Sequence, residues 1–148
     1  MTEYHKLRHC VYRLDYHIVL VVKYRKQCIT DEIGTFLVDR SRIVAEAFGG
    51  DLIEGKADLD HLHLVISLPP AVCISDFVAS LKNTTSRMVR KQYAEYLKQY
   101  LWGNSFWTDS YFISSTGGAA LDIIMKYVES QGNPKRAYRK KQSISTGT

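Results

Sequence analysis

The chain has 148 residues, with 20 lysines and arginines against 15 aspartates and glutamates, for a net charge of +5. At 45% hydrophobic and 24% charged it reads as one globular domain with a real core, which excludes a disordered chain, a collagen-like chain and a coiled coil. No apolar run approaches the ~20 residues of a membrane span, and the N-terminus MTEYHKLRHC lacks a signal-peptide stretch.

The cysteine count is odd. Cys10, Cys28 and Cys73 are therefore expected as reduced, partly buried thiols in a cytoplasmic protein. Charge is unevenly spread. Residues 1–30, 82–100 and 133–148 are basic, and residues 31–81 and 101–132 between them are acidic. Basic stretches that converge in space make a face for a polyanion.

Residues 14–24, LDYHIVLVVKY, are rich in β-branched side chains and predict a strand buried on both faces near 18–22. Thr30, Asp31 and Glu32 open a helix over 31–48, with Ile33, Phe36, Leu37, Ile43, Val44 and Ala47 at helical spacing. Gly49 and Gly50 end it. A second strand covers 51–57, a turn 58–60, and HLHLVISL a third strand over 61–68, stopped by Pro69 and Pro70.

Ser75 and Asp76 are the expected cap of a second helix, with a stripe of Phe77, Val78, Leu81, Thr85, Met88 and Val89. It runs on, or breaks and restarts, through 93–100. A fourth strand is expected over 105–115, with Trp107, Tyr111 and Ile113 facing inward. Gly117 and Gly118 lead into a last helix over 119–131, closed by Gly132, Asn133 and Pro134. One domain is expected over 1–134, and a basic, flexible tail over 135–148. No repeat is visible. The order β-α-β-β-α-β-α contains the split βαβ pattern. The expected fold is therefore α+β: a ferredoxin-like βαββαβ antiparallel sheet with helices on one face, plus a C-terminal helix.

One motif is a decoy. Residues 50–56, GDLIEGK, have the glycine and lysine spacing of a phosphate-binding loop. Ala57 stands where a hydroxyl must hold magnesium, the segment leads from helix to strand rather than the reverse, and Asp51 and Glu54 would repel phosphates. No nucleotide cofactor is expected.

His61 and His63 are two apart on a predicted strand, so both imidazoles project from one face and can converge on a metal, while Leu62 points the other way. Tyr127 and Gln131 are four apart on the last helix and share one face, with Ile124 and Val128 beside them to hold the helix on the sheet. On spacing alone, Tyr127 reads as a core tyrosine and Gln131 as a polar end to the helix rather than as reactive groups.

In order and in spacing, YHIVLVVKYRKQ, DHLHLVISLPP, LKNTTSRMVRKQY, LWGNSFWTDSYFISSTGG and YVESQ resemble the single-tyrosine HUH transposases of the insertion-sequence group two-hundred/six-hundred-five. The resemblance spans about residues 10–134. It implies that His61 and His63 bind the catalytic metal, that Tyr127 is the nucleophile, and that Gln131 is the third ligand. It also implies a homodimer, whose tyrosine helices can dock on the partner's histidine pair by a pivot at Gly117 and Gly118. Cleavage would leave a 5′-phosphotyrosine and a free 3′-hydroxyl on single-stranded DNA, next to subterminal hairpins that the protein binds. The enzyme would act in the cytoplasm, at the nucleoid.

Two imidazoles and one amide oxygen suit Mg2+ or Mn2+. Lys82, Arg87, Arg90 and Lys91 on the second helix are candidate phosphate contacts, with Arg13, Lys23 and Arg25. Trp102, Phe106, Trp107 and Tyr111 are candidates for stacking on bases, or for the core. Three other readings compete: a domesticated relative that processes repeated hairpins, a ferredoxin-like module that binds nucleic acid without cutting, and a phosphoesterase that uses water in place of the tyrosine.

Overall fold

Side-chain alternation along two central strands divides the molecule into layers. The computed structural model describes residues 4–101, 103–115 and 121–131. A hairpin of β1 (His5–Leu7) and β2 (Cys10–Tyr12) precedes β3 (Asp15–Val21). Then come a single 3₁₀ turn at Lys23–Arg25, α1 (Asp31–Ala47), β4 (Asp51–Ala57) and β5 (His61–Ser67). The chain continues through α2 (Ile74–Gln92), α3 (Ala94–Leu97), β6 (Phe112–Ser115) and α4 (Leu121–Gln131).

The main sheet has the order β4-β5-β3-β6, and each neighbouring pair is antiparallel. Each of the two βαβ units, β3-α1-β4 and β5-α2-β6, therefore holds a strand of the other between its own. This is the expected ferredoxin-like α+β sheet, with the two most apolar strands at its centre.

On one face Ile18, Leu20, Val22, Leu62, Leu64, Ile66 and Leu68 pack with Ile33, Leu37 and Val44 of α1 and Phe77, Val78, Leu81 and Val89 of α2. Each such burial contributes about 1.5–3 kcal/mol. On the other face Val19 and Val21 of β3 are covered by Ile124 and Val128 of α4. The last helix thus sits across the sheet from the other two.

α1 begins where the sequence predicts it. The Thr30 hydroxyl accepts from the Ile33 amide at 3.1 Å, and Asp31 and Glu32 lie in the positive first turn. A left-handed Gly49, at φ +82°, ends it. The helix lies directly on β4: a Cβ on Gly34 would stand 2.8 Å from the Ala57 Cβ, and one on Gly55 would stand 2.7 Å from a Val38 methyl.

Several expectations need correction. The N-terminal hairpin was not anticipated, because its strands are three residues each and carry no usable period. α2 starts at Ile74 after Cys73, with no side-chain cap, so Ser75 and Asp76 are inside it. The helix breaks at Tyr93 before α3. The fourth strand is confined to Phe112–Ser115. Upstream of it Phe106 and Trp107 are buried in the same core, which a two-residue alternation cannot accommodate, and among the described residues of that stretch only Trp107 makes a strand bridge, to Val22. Of the cysteines only Cys28 is buried, with its thiol pushed up to about 11 by burial, while Cys10 and Cys73 are exposed. The Gly117–Gly118 pivot, Trp102 and the 135–148 tail lie outside the described residues.

Candidate active site

His61 and His63 sit at alternate positions of β5, and register pairs them with Val21 and Val19 of β3. Directly paired residues share a face. The two imidazoles therefore stand on the side of the sheet that α4 covers.

Each ring is fixed by a polar neighbour. Asp60 Oδ1 accepts from His61 Nδ1 at 2.8 Å, which places the ring proton on Nδ1 and leaves the Nε2 lone pair available. Asp60 Oδ2 in turn pairs with Arg25 Nε at 3.2 Å. His63 Nε2 is hydrogen-bonded to His17 Nδ1 at 3.0 Å. Burial, and next the neighbouring His17, hold His63 below the usual histidine range, which favours the neutral ring.

α4 presents the tyrosine. Ile124 and Val128 anchor it on Val19 and Val21, and the Tyr127 ring lies 5.7 Å from that of Phe112. The Tyr127 hydroxyl meets Ser110 Oγ at 2.8 Å, and Ser110 donates to Gln131 Oε1 at 2.9 Å. A serine hydroxyl has one proton to give, so in this arrangement Tyr127 donates to Ser110. Burial pushes the Tyr127 phenol up, and the Ser110 and Thr108 hydroxyls oppose it. Gln131 Nε2 also donates to Ser130 Oγ at 3.0 Å.

The sequence-level candidates therefore fall into two pairs on one face. His61 and His63 are held by Asp60 and His17, and Tyr127 and Gln131 meet on Ser110. Asp60 ends the turn expected over 58–60, directly before the histidines. His17, Ser110 and the pairing of Arg25 with Asp60 had no sequence signal, because spatial neighbours distant in the chain leave none. Among the described residues no group of three His, Cys, Asp or Glu side chains could hold a metal ion, so an ion on the histidine pair needs a donor of another kind.

The basic candidates on α2 differ in their partners. Lys82 Nζ donates to the Thr108 carbonyl at 2.7 Å and the Ser110 carbonyl at 3.3 Å, and burial lowers its pKa despite Asp109. Arg90 donates to the carbonyls of Gly103 and Ser105. Arg87 and Arg90 line a recess of about 310 Å³ with Asn83, Ser86 and Asn104. Lys91 is exposed. Trp107 is a core residue whose indole donates to Thr85 Oγ1 at 2.9 Å, and Phe106 packs edge-on against it. Tyr111 is partly buried against the same core. Among the described residues no helix is long and apolar enough to cross a membrane.

Comparison with known proteins gives the family. Residues 10–131 match the family model described as "Transposase IS200 like". The ISDra2 transposase TnpA of Deinococcus radiodurans is 38% identical over 129 residues, which cover 87% of this chain and 91% of that protein. The transposase for insertion sequence element IS200 of Salmonella typhimurium is 27% identical over 131 residues, covering 88% of this chain and 85% of that protein. The crystal structure of a candidate transposase from Deinococcus radiodurans superposes with a TM-score of 0.78 at 33% identity, covering 86% of this chain and 97% of that one. The chain belongs to the IS200-like transposases, a family of DNA-processing enzymes of insertion sequences.

Proposed function

We propose that this transposase cuts and rejoins single-stranded DNA at insertion-sequence ends through a 5′-phosphotyrosine on Tyr127, and that it binds subterminal hairpins as a homodimer. The observation that supports this reading is the common sheet face of the tyrosine helix and the histidine pair. Tyr127 Oη forms the new bond to phosphorus, the bond to the 3′ oxygen breaks, and that oxygen leaves with a proton as a 3′-hydroxyl. A second 3′-hydroxyl reverses the step on another end and restores the phenol. Bond energy is kept in the phosphotyrosine, so no nucleotide is consumed.

The donor set of His61, His63 and Gln131 fits a divalent ion of the Mg2+ or Mn2+ kind. His61 already offers Nε2, while His63 and Gln131 would exchange their present partners, His17 and Ser110. When bound, such an ion supplies Lewis-acid polarisation of the scissile phosphate. The neutral ring favoured at His63 suits it as a ligand. Ser110, freed from Gln131, can turn its hydroxyl proton to the Tyr127 oxygen as that oxygen gives up its own. Holding the phenol beside the phosphate supplies the proximity that a group with a pKa near or above ~10 needs at neutral pH.

In the homodimer α4 can leave its seat on its own sheet and exchange between protomers, the chemistry resides in residues 1–134, and the tail 135–148 adds basic charge. Arg87 and Lys91 make the phosphate-binding side of α2, while Lys82 and Arg90 behind them hold the loop before β6.

Covalent capture tests the reading. The protein is mixed with single-stranded DNA from both flanks of its gene and Mg2+ or Mn2+, then run on a denaturing gel. A DNA-shifted protein band should form, and should disappear in Tyr127→Phe and with a chelator. Intact hairpin binding without that band, or release of free 5′-phosphate, overturns it.

A further inference from the structure

Residues 24 and 25 form a strained corner. Tyr24 has φ 59° and ψ 14°, and Arg25 has φ 54°. Two successive non-glycine residues in the left-handed region are costly and persist only where the surroundings enforce them. The corner aims the Arg25 guanidinium at two places. Its Nε pairs with Asp60 Oδ2 at 3.2 Å, and one terminal nitrogen donates to the Glu129 carbonyl at 3.2 Å. Asp60 is the residue that fixes His61. Glu129 lies between Tyr127 and Gln131 on α4.

We propose that Arg25 is a positioning residue that couples the seat of the tyrosine helix to the orientation of His61. A single side chain then links His61, Asp60, Arg25 and the α4 backbone in series. An exposed ion pair would carry little, but here only the Arg25 end is open, at 34% exposed, while the Asp60 carboxylate it holds is 13% exposed. The planar guanidinium can give separate donors to a carboxylate and a carbonyl at fixed angles, which a lysine ammonium cannot match. The cation also lies at a carbonyl near the C-terminal end of α4, where positive charge is favourable. Displacing α4 would release Arg25 from one side and loosen the hold of Asp60 on His61. The inference rests on the proposed metal role of His61, and it concerns this chain's own residues.

Two DNA-free measurements test it: hydrogen exchange at the amides of α4, and Mn2+ affinity by electron paramagnetic resonance. In Arg25→Gln, α4 amides should exchange several-fold faster while α1 and α2 are unchanged, and Mn2+ should bind on the order of 10-fold more weakly, the usual effect of losing a partner behind a metal ligand. Asp60→Asn should weaken Mn2+ similarly, and adding Arg25→Gln to it should cost little more, because the two act in series. Arg25→Lys should restore Mn2+ affinity through Asp60 but not the protection of α4. Unchanged α4 exchange in Arg25→Gln overturns the proposal, as does faster exchange with unchanged Mn2+ affinity. If the unaltered protein binds no Mn2+, the metal reading fails, and α4 exchange in Arg25→Gln and Asp60→Asn decides the link alone: both faster supports it, Asp60→Asn unchanged overturns it.

Discussion

Ser110 shares one hydroxyl between two side chains of the tyrosine helix. While it donates to Gln131 it can only accept from Tyr127, and a phenol in that state is not being prepared to lose its proton. Once Gln131 turns away, the same hydroxyl can stabilise the developing phenolate. Burial already raises the Tyr127 pKa, with Ser110 and Thr108 pulling against it. With Gln131 turned away and the hydroxyl donating, Ser110→Ala should therefore raise it further and shrink the reactive fraction at neutral pH. Covalent adduct formation should slow on the order of 10-fold, the worth of one hydrogen bond to a charged oxygen. Its rise with pH should also move to higher pH in a series from pH 7 to 10. A profile that overlays the unaltered protein would remove Ser110 from the chemistry. His61 and His63 were legible because alternation in a strand is a local rule. Ser110 was not: it lies 17 and 21 residues from Tyr127 and Gln131, and only the folded sheet brings them together. His17 and His63, 46 residues apart, are the same case.

Among the elements, those with a strong local signal were readable. α1 has its cap and its glycine stop, and its expected stripe holds at Ile33, Leu37 and Val44 while Ile43 and Ala47 turn out to solvent; β4 and β5 sit between recognisable turns. β6 was overextended because the aromatic run before it looks like a strand, whereas Lys82 and Arg90 bind the carbonyls of that segment and fix it as a loop. The contact of α1 with β4 gives a prediction that runs against helix propensity. Alanine is favoured over glycine in a helix by about 1 kcal/mol. Gly34→Ala should nevertheless destabilise the protein, because its Cβ would press on Ala57 at 2.8 Å, and overpacking costs about 1–3 kcal/mol. Urea titration should show the net loss, and a gain in stability would mean that α1 can lift from the sheet without cost.

For the whole molecule, charge segregation predicts a basic side, and the fold sorts its candidate cations by what each already holds. Lys82 is bound to two carbonyls of the loop that carries Ser110. Arg87 and Lys91 are exposed. With hairpin DNA followed by fluorescence anisotropy, Arg87→Ala and Lys91→Ala should each reduce the salt slope of log affinity by about 1. Lys82→Met should leave that slope unchanged while weakening the loop. An equal change for Lys82→Met would make it a phosphate contact after all. Layering was only half legible: the sequence predicted a helix held by Ile124 and Val128, but no local pattern says which face of a doubly apolar sheet it covers.

That layering has a consequence for how this chain can change over generations. Along β3, neighbours in sequence belong to different layers: Ile18 and Leu20 to the main core, Val19 and Val21 to the seat of α4. Even and odd positions of one strand are thereby under separate selection. Drift at the even ones is paid in stability, and drift at the odd ones in the seat of α4, so a lineage can shift that helix without surrendering its fold.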